Sequence, residues 1–129
     1  MSGAEDLADE LLDVDTGDRL RIVTNDVTVW ADVGPIGEQM GPEKDDHGWL
    51  EGEIWFDVRV DDEYVEENGF VLPDARVSAK TKRGEWQQPT VVFAEEWEGN
   101  ASSAEEVDNP VEDWEGEMRE IDRVTSTYE

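Results

Sequence analysis

A chain of 129 residues carries 36 Asp and Glu against 10 Lys and Arg, a net charge of −26. The length serves one modest hydrophobic core, and the lack of cysteine excludes disulfides, thiol catalysis, Cys-type zinc sites and iron–sulfur clusters. Leu, Ile, Val and Phe make about 22% of the chain, just above the roughly 20% below which a highly charged chain stays disordered; six tryptophans and several alternating segments argue for a folded domain.

In chain order, residues 4–12 read as a short amphipathic helix. Ser2 and Glu5 are placed to form a capping box, and Leu7, Leu11 and Val14 share a face that Leu12 widens. Asp15-Thr16-Gly17-Asp18 ends the helix with turn chemistry. Residues 19–24 alternate at period two, with Leu20 and Ile22 on one face. Asn25-Asp26 marks a tight turn into a second strand, where Val27, Val29, Ala31 and Val33 line one side. Residues 34–48, rich in glycine and without periodicity, predict a long loop.

Residues 49–60 give the clearest signal. Leu50, Gly52, Ile54, Phe56, Val58 and Val60 face one way, and Trp49, Glu51, Glu53, Trp55, Asp57 and Arg59 the other, as in a half-buried antiparallel strand. Gly52 predicts a bend or bulge there. Residues 61–73 read as a connection with a brief extended piece at 70–72. Residues 76–81 read as a strand with Val77 and Ala79 opposite Arg76, Ser78 and Lys80. Residues 82–85 predict a hairpin turn, and 86–94 the returning strand, broken or bulged at Pro89, with Val91 and Phe93 on one face and Trp86, Thr90 and Val92 on the other. The acidic, aperiodic segment 95–113 reads as mobile. In 114–125, Met118, Ile121 and Val124 fit a helical spacing, yet a closing strand is preferred because a sheet needs its edge covered.

The sum is a mainly β fold, a small, strongly bent five- to six-stranded barrel with a short N-terminal helix and acidic loop insertions. It is a single domain, 1–129, with its barrel core over about 18–125. This order of elements resembles the small barrels of the SH3 and Sm-like kind, where an N-terminal helix caps the barrel. Acid spread over the whole chain, with only three lysines, resembles the proteins of haloarchaea. That resemblance implies a cytoplasm of molar salt, where the Debye length falls to about 3 Å and self-repulsion is screened. The first eighteen residues hold seven acids and no Lys or Arg, the reverse of a secretory leader, and no run approaches the roughly 18 apolar residues of a membrane helix. A cytoplasmic protein that does not enter membranes is therefore expected.

The carboxylates are too numerous for any pair to be singled out as acid and base, and no Ser-His pair, phosphate loop or dinucleotide glycine pattern occurs. His47, the only histidine, has no second His and no Cys to complete a zinc site. Asp13 and Asp15 resemble the start of a calcium loop, but Gly17, Asp18 and Thr24 stand where the motif needs a ligand, a glycine and a bidentate Glu. No catalytic residue, metal or cofactor is assigned.

One cluster departs from the acidic background. Arg76, Lys80, Lys82 and Arg83 lie on one predicted hairpin, with Trp86 on its returning arm. Such a hairpin suits single-stranded nucleic acid, through phosphate pairing and base stacking; it also suits simple pairing with surrounding carboxylates. Trp49 and Trp55, opposite the aliphatic row of their strand, suit either packing under an insertion or an exposed anchor for a partner. The leading expectation is a non-catalytic interaction module that binds a protein partner or self-associates. A nucleic-acid-binding barrel is the alternative, and an enzyme with an unrecognised carboxylate site the third reading.

Overall fold

The structure, a computed structural model, describes residues 3–44, 50–97 and 114–127. Helix α1 (Gly3–Leu12) is followed by β1 (Arg19–Thr24), β2 (Thr28–Lys44), β3 (Leu50–Val60), α2 (Asp62–Asn68) and β4 (Asp74–Lys82). Then come β5 (Glu85–Trp86), β6 (Thr90–Phe93), β7 (Glu96–Trp97), β8 (Trp114–Glu115) and β9 (Met118–Thr127). Strands β1, β2, β3, β4, β6 and β9 each pair antiparallel with the next, and β9 returns to β1, so the sheet closes as a six-stranded barrel. Strand β5 is extra, bonded to the end of β4, and β7 pairs with β8 in a separate ribbon.

Period-two patterning fills the interior. Leu20 and Ile22, Val29 and Ala31, Phe56 and Val58 are buried from three consecutive strands. Val77, Val91 and Ile121 close the ring from β4, β6 and β9. Helix α1 packs against β9 and β5, with contacts to β2 and β3, and buries Leu7, Ala8 and Leu11 there. The barrel is thus plugged by its own apolar side chains. Phe70, stacked on Phe93 with ring centroids 4.9 Å apart, packs against the same core.

β3 keeps the expected faces: Gly52, Ile54, Phe56, Val58 and Val60 are buried, and Glu53 and Arg59 are exposed. The bulge expected at Gly52 lies instead across from it in β2, between Met40 and Glu43. Gly52 makes room for an aromatic ring: a Cβ there would stand 2.7 Å from Trp86 Cη2.

Several expectations are corrected. Residues 34–44 are not loop but the far half of β2, paired with β3 through three register shifts. Each shift advances the strand without keeping side-chain alternation, so the strand has no period to read. The loop expected over 45–48, with His47, lies outside the described residues, as do Trp49 and Ser2 with its capping box. The connection 61–73 contains α2, ended by Gly69 in the left-handed conformation at φ 71°. The extended piece expected at 70–72 does not form, and residues 71–73 are bends. Of the segment expected to be mobile, 95–97 are anchored: Trp97 is buried and β7 pairs with β8. The rest of it, 98–113, lies outside the described residues.

The ambiguous end is a strand. Ile121 and Val124 are both buried although three residues apart, because the β1–β9 register shifts between Val23 and Thr24. A bulge in a strand produced the spacing of a helix.

Candidate functional site

The outer face of the sheet carries the built surface. In register, Trp55 of β3 stands opposite Ser78 of β4, Ser78 opposite Thr90 of β6, and Thr90 opposite Glu120 of β9. One row to the side, Asp57, Arg76, Val92 and Met118 align in the same way. Outward side chains share a face at period two, so the middle of the first row holds two small hydroxyl residues flanked by large ones. Ser78 and Thr90 sit 3.2 Å apart, oxygen to oxygen, in a hydrogen bond. The low middle and tall flanks make a groove of about 380 Å³, lined largely by apolar surface and bordered by Trp55, Glu53, Lys80, Gln88 and Met118. Met118 is 68% exposed, the one large apolar side chain so exposed among the described residues.

Trp55 is held from both flanking strands. Gly37 of β2 lies against its indole, where a Cβ would come within 1.9 Å of Cζ2. Arg76 of β4 places its guanidinium 4.7 Å from the ring centroid and donates from Nε to Asp57 Oδ1 at 2.9 Å. On the far side, the Gln88 amide donates to the Ile121 carbonyl. The groove edge formed where Pro89 interrupts the strand is therefore tied to β9.

The hairpin cations divide. Arg76 is paired with Asp57, whereas Lys80, Lys82 and Arg83 are exposed and make no ion pair among the described residues. Glu53 stands opposite Lys80 in register without closing such a pair. The turn itself, Arg83-Gly84, has φ of 54° and 82° at its two central residues, the mirror-type hairpin geometry that projects Lys82 and Arg83 outward. Pairing with carboxylates therefore accounts for one of the four cations.

Trp86 departs from its expected face. It does not stand beside Thr90 and Val92 on the outside but packs inward onto Gly52 and the core. The break at residues 87–89 releases β5 from the alternation of β6. A ring expected as a stacking platform is instead part of the barrel's packing. Trp49, the remaining candidate, lies outside the described residues.

Other charged groups are staples. Arg119, with a side chain only 13% exposed, bonds Asp26 and Glu95 and lies over the Phe93 ring. Its hydrogen bonds hold the Glu95 and Asp26 carboxyls below their usual range, and the carboxylates raise the guanidinium further. Arg19 likewise bonds Asp61 and Asp32, and its hydrogen bonds hold the Asp61 carboxyl below its usual range. Asp74 is the described carboxyl that burial, and then the Asp57 charge, push up against the pull of Arg59. It lies outside the groove. No cluster of His, Cys, Asp and Glu able to hold a metal occurs among the described residues.

Sequence reading reached Arg76, Ser78, Lys80 and Trp55 but missed Thr90 and Met118 as their neighbours. Each was visible as an outward residue of its own strand. Only the cross-strand register joins them. The chain matches no protein-family model, no curated protein and no solved structure.

Proposed function

We propose that the chain is a non-catalytic interaction module that binds a protein partner or a second copy of itself through the outer face of β3, β4, β6 and β9. The observation that carries this reading is the groove over Ser78 and Thr90, with exposed Met118 on one flank and Lys80, which forms no ion pair among the described residues, on its border. Apolar side chains fill the barrel interior, so recognition falls to the outside. A small barrel used this way is similar in role to SH3 and Sm-like barrels. The acidity of the chain fits work in the cytoplasm of a halophile, where its −26 charge is screened. No helix among the described residues is long and apolar enough to cross a membrane.

A nucleic-acid ligand is favoured by Lys80, Lys82 and Arg83 alone. Base stacking needs an open aromatic face. Trp86 packs inward, and Trp55 is engaged by Gly37 and Arg76.

The test is sedimentation and cross-linking in molar KCl, with and without host-cell extract. The expected result is self-association or a discrete complex in which oxidative footprinting protects Met118. A monomer whose Met118 stays equally reactive in every extract overturns the reading.

A further inference from the structure

We infer that the groove receives an extended acidic segment of a partner protein, an apolar side chain seated over Ser78 and Thr90 and carboxylates directed at Lys80 and Lys82. This rests on the interaction-module reading and names its ligand.

The surface has a direction. Along β4 the outward residues run Arg76, Ser78, Lys80, Lys82. Arg76 is paired with Asp57, Ser78 is the low point, and Lys80 and Lys82 form no ion pair among the described residues. An occupant therefore meets apolar surface first and lysine side chains next, with Glu53 and Glu85 opposite them in register. On a chain with 36 carboxylates and 10 cations, lysines beside a cleft that form no ion pair among the described residues are the place where a negative group is attracted rather than repelled. At about 380 Å³ the cleft lies near the lower end of the roughly 300–1,000 Å³ typical of ligand sites. That size suits a side chain and its flanking backbone.

Spacing sharpens the ligand. Two residues of an extended chain span about 6.6 Å, on β4 and on a peptide alike. A ligand lying along β4 with its anchor over Ser78 meets Lys80 two residues further on and Lys82 four residues on. The matching pattern is an apolar residue with acids at the second and fourth positions beyond it. Arg83, in the turn, adds charge at the same end.

The competing ligands fit less well. A nucleic acid brings phosphates but needs a stacking face, which Trp55 and Trp86 do not offer. In molar salt its electrostatic attraction is largely spent. A peptide keeps its apolar anchor under those conditions.

The experiment uses the full chain in molar KCl and fluorescein-labelled peptides with a central Phe. One carries Asp at the second and fourth positions beyond the Phe, and one carries Asn there. The Asp peptide is expected to bind about twofold more tightly, the part of two exposed ion pairs that survives screening at that salt. Changing Lys80, Lys82 and Arg83 together to Gln should make the two peptides bind alike. Ser78→Trp should fill the groove and abolish both; Met118→Asp, at an exposed position, is the second variant and should weaken both. Equal binding of the two peptides to the unaltered protein overturns the inference, as does undiminished binding to both groove variants. An oligothymidylate that displaces the Asp peptide with higher affinity assigns the surface to nucleic acid instead. Self-association lost in Ser78→Trp assigns it to a second copy. If neither peptide binds while a cross-linked partner protects Met118, this inference falls and the module reading stands.

Discussion

The indole of Trp55 lies so close to Gly37 that any Cβ at that position would overlap the ring. The glycine belongs to β2 and the tryptophan to β3, and the register shift between Ile36 and Glu38 brings them together. Gly37→Ala should therefore displace the indole and disturb its contact with Arg76. Overpacking of this kind costs about 1–3 kcal/mol. Denaturant titration followed by tryptophan fluorescence should show a lower midpoint and an altered native emission. An unchanged spectrum and midpoint would count against the contact.

Phe56, fully buried in β3, anchors the barrel core opposite the exposed groove. Phe56→Ala should cost about 3–5 kcal/mol, as a cavity in a close-packed core does. The neighbouring Arg59→Ala, on the exposed face, should stay within about 0.5 kcal/mol. Equilibrium unfolding of both variants checks the register: a small loss for Phe56→Ala beside a large one for Arg59→Ala would mean that the two faces had been exchanged.

Two acids should leave opposite marks on the pH dependence of stability. Hydrogen bonds from Arg119 hold Glu95 below its ordinary value. Its stabilisation is thus present above the ordinary carboxylate range and lost as pH falls through the depressed value. Arg119→Met should destabilise at neutral pH, with the deficit shrinking toward acid. Asp74 is raised, by burial first and by Asp57 second. Below the ordinary range it is protonated in both states and costs nothing. The cost grows as pH rises through that range and is complete above the raised value. Asp74→Asn should accordingly stabilise at neutral pH and bring no gain at the acid end. Thermal unfolding at constant ionic strength from neutral to acid pH reads both slopes.

Salt should strengthen the fold. The net charge is −26, and three of the ten cations, Arg19, Arg76 and Arg119, are committed to ion pairs among the described residues. Going from 0.1 M to 1 M salt shortens the Debye length from about 10 Å to about 3 Å and removes most of the remaining repulsion. Far-UV circular dichroism in a KCl series should show a rising unfolding midpoint. Equal stability in salt-free buffer would sink the halophilic reading.

The sequence was most legible where alternation was unbroken. β1 and β3 kept their period, and their inward residues could be assigned from pattern alone. β2 beyond Val33 was opaque because three register shifts erase the period, and the glycine that reads as loop at position 37 serves the packing of Trp55. α2 did leave signals: Asp61 before it, acids in its first turn and Gly69 behind it. With only seven residues and the half-buried Tyr64 and Val65 as its apolar contacts, it lacked a hydrophobic stripe to reveal it. The groove was least legible. Its parts lie on four strands, and no single segment records which residue of β6 or β9 will stand beside Ser78.

Gln39, in the stretch that looked like loop, donates its amide to the carbonyls of Leu11 and Val14 at 3.0 and 2.8 Å, and so closes the end of α1. The helix also packs against β9. Ile22 of β1 likewise has its second partner, Val124, near the far end of the chain. During synthesis the helix and β1 emerge long before the strand that completes them. The barrel seam therefore closes last, after translation of β9, and until then β1 and β6 each present an unpaired edge. The dense negative charge is present on the growing chain throughout that interval. At low salt it would hold neighbouring nascent chains apart while the seam is open; at molar salt, where the Debye length is about 3 Å, it acts only at near contact, and the open edges depend on the speed of closure instead.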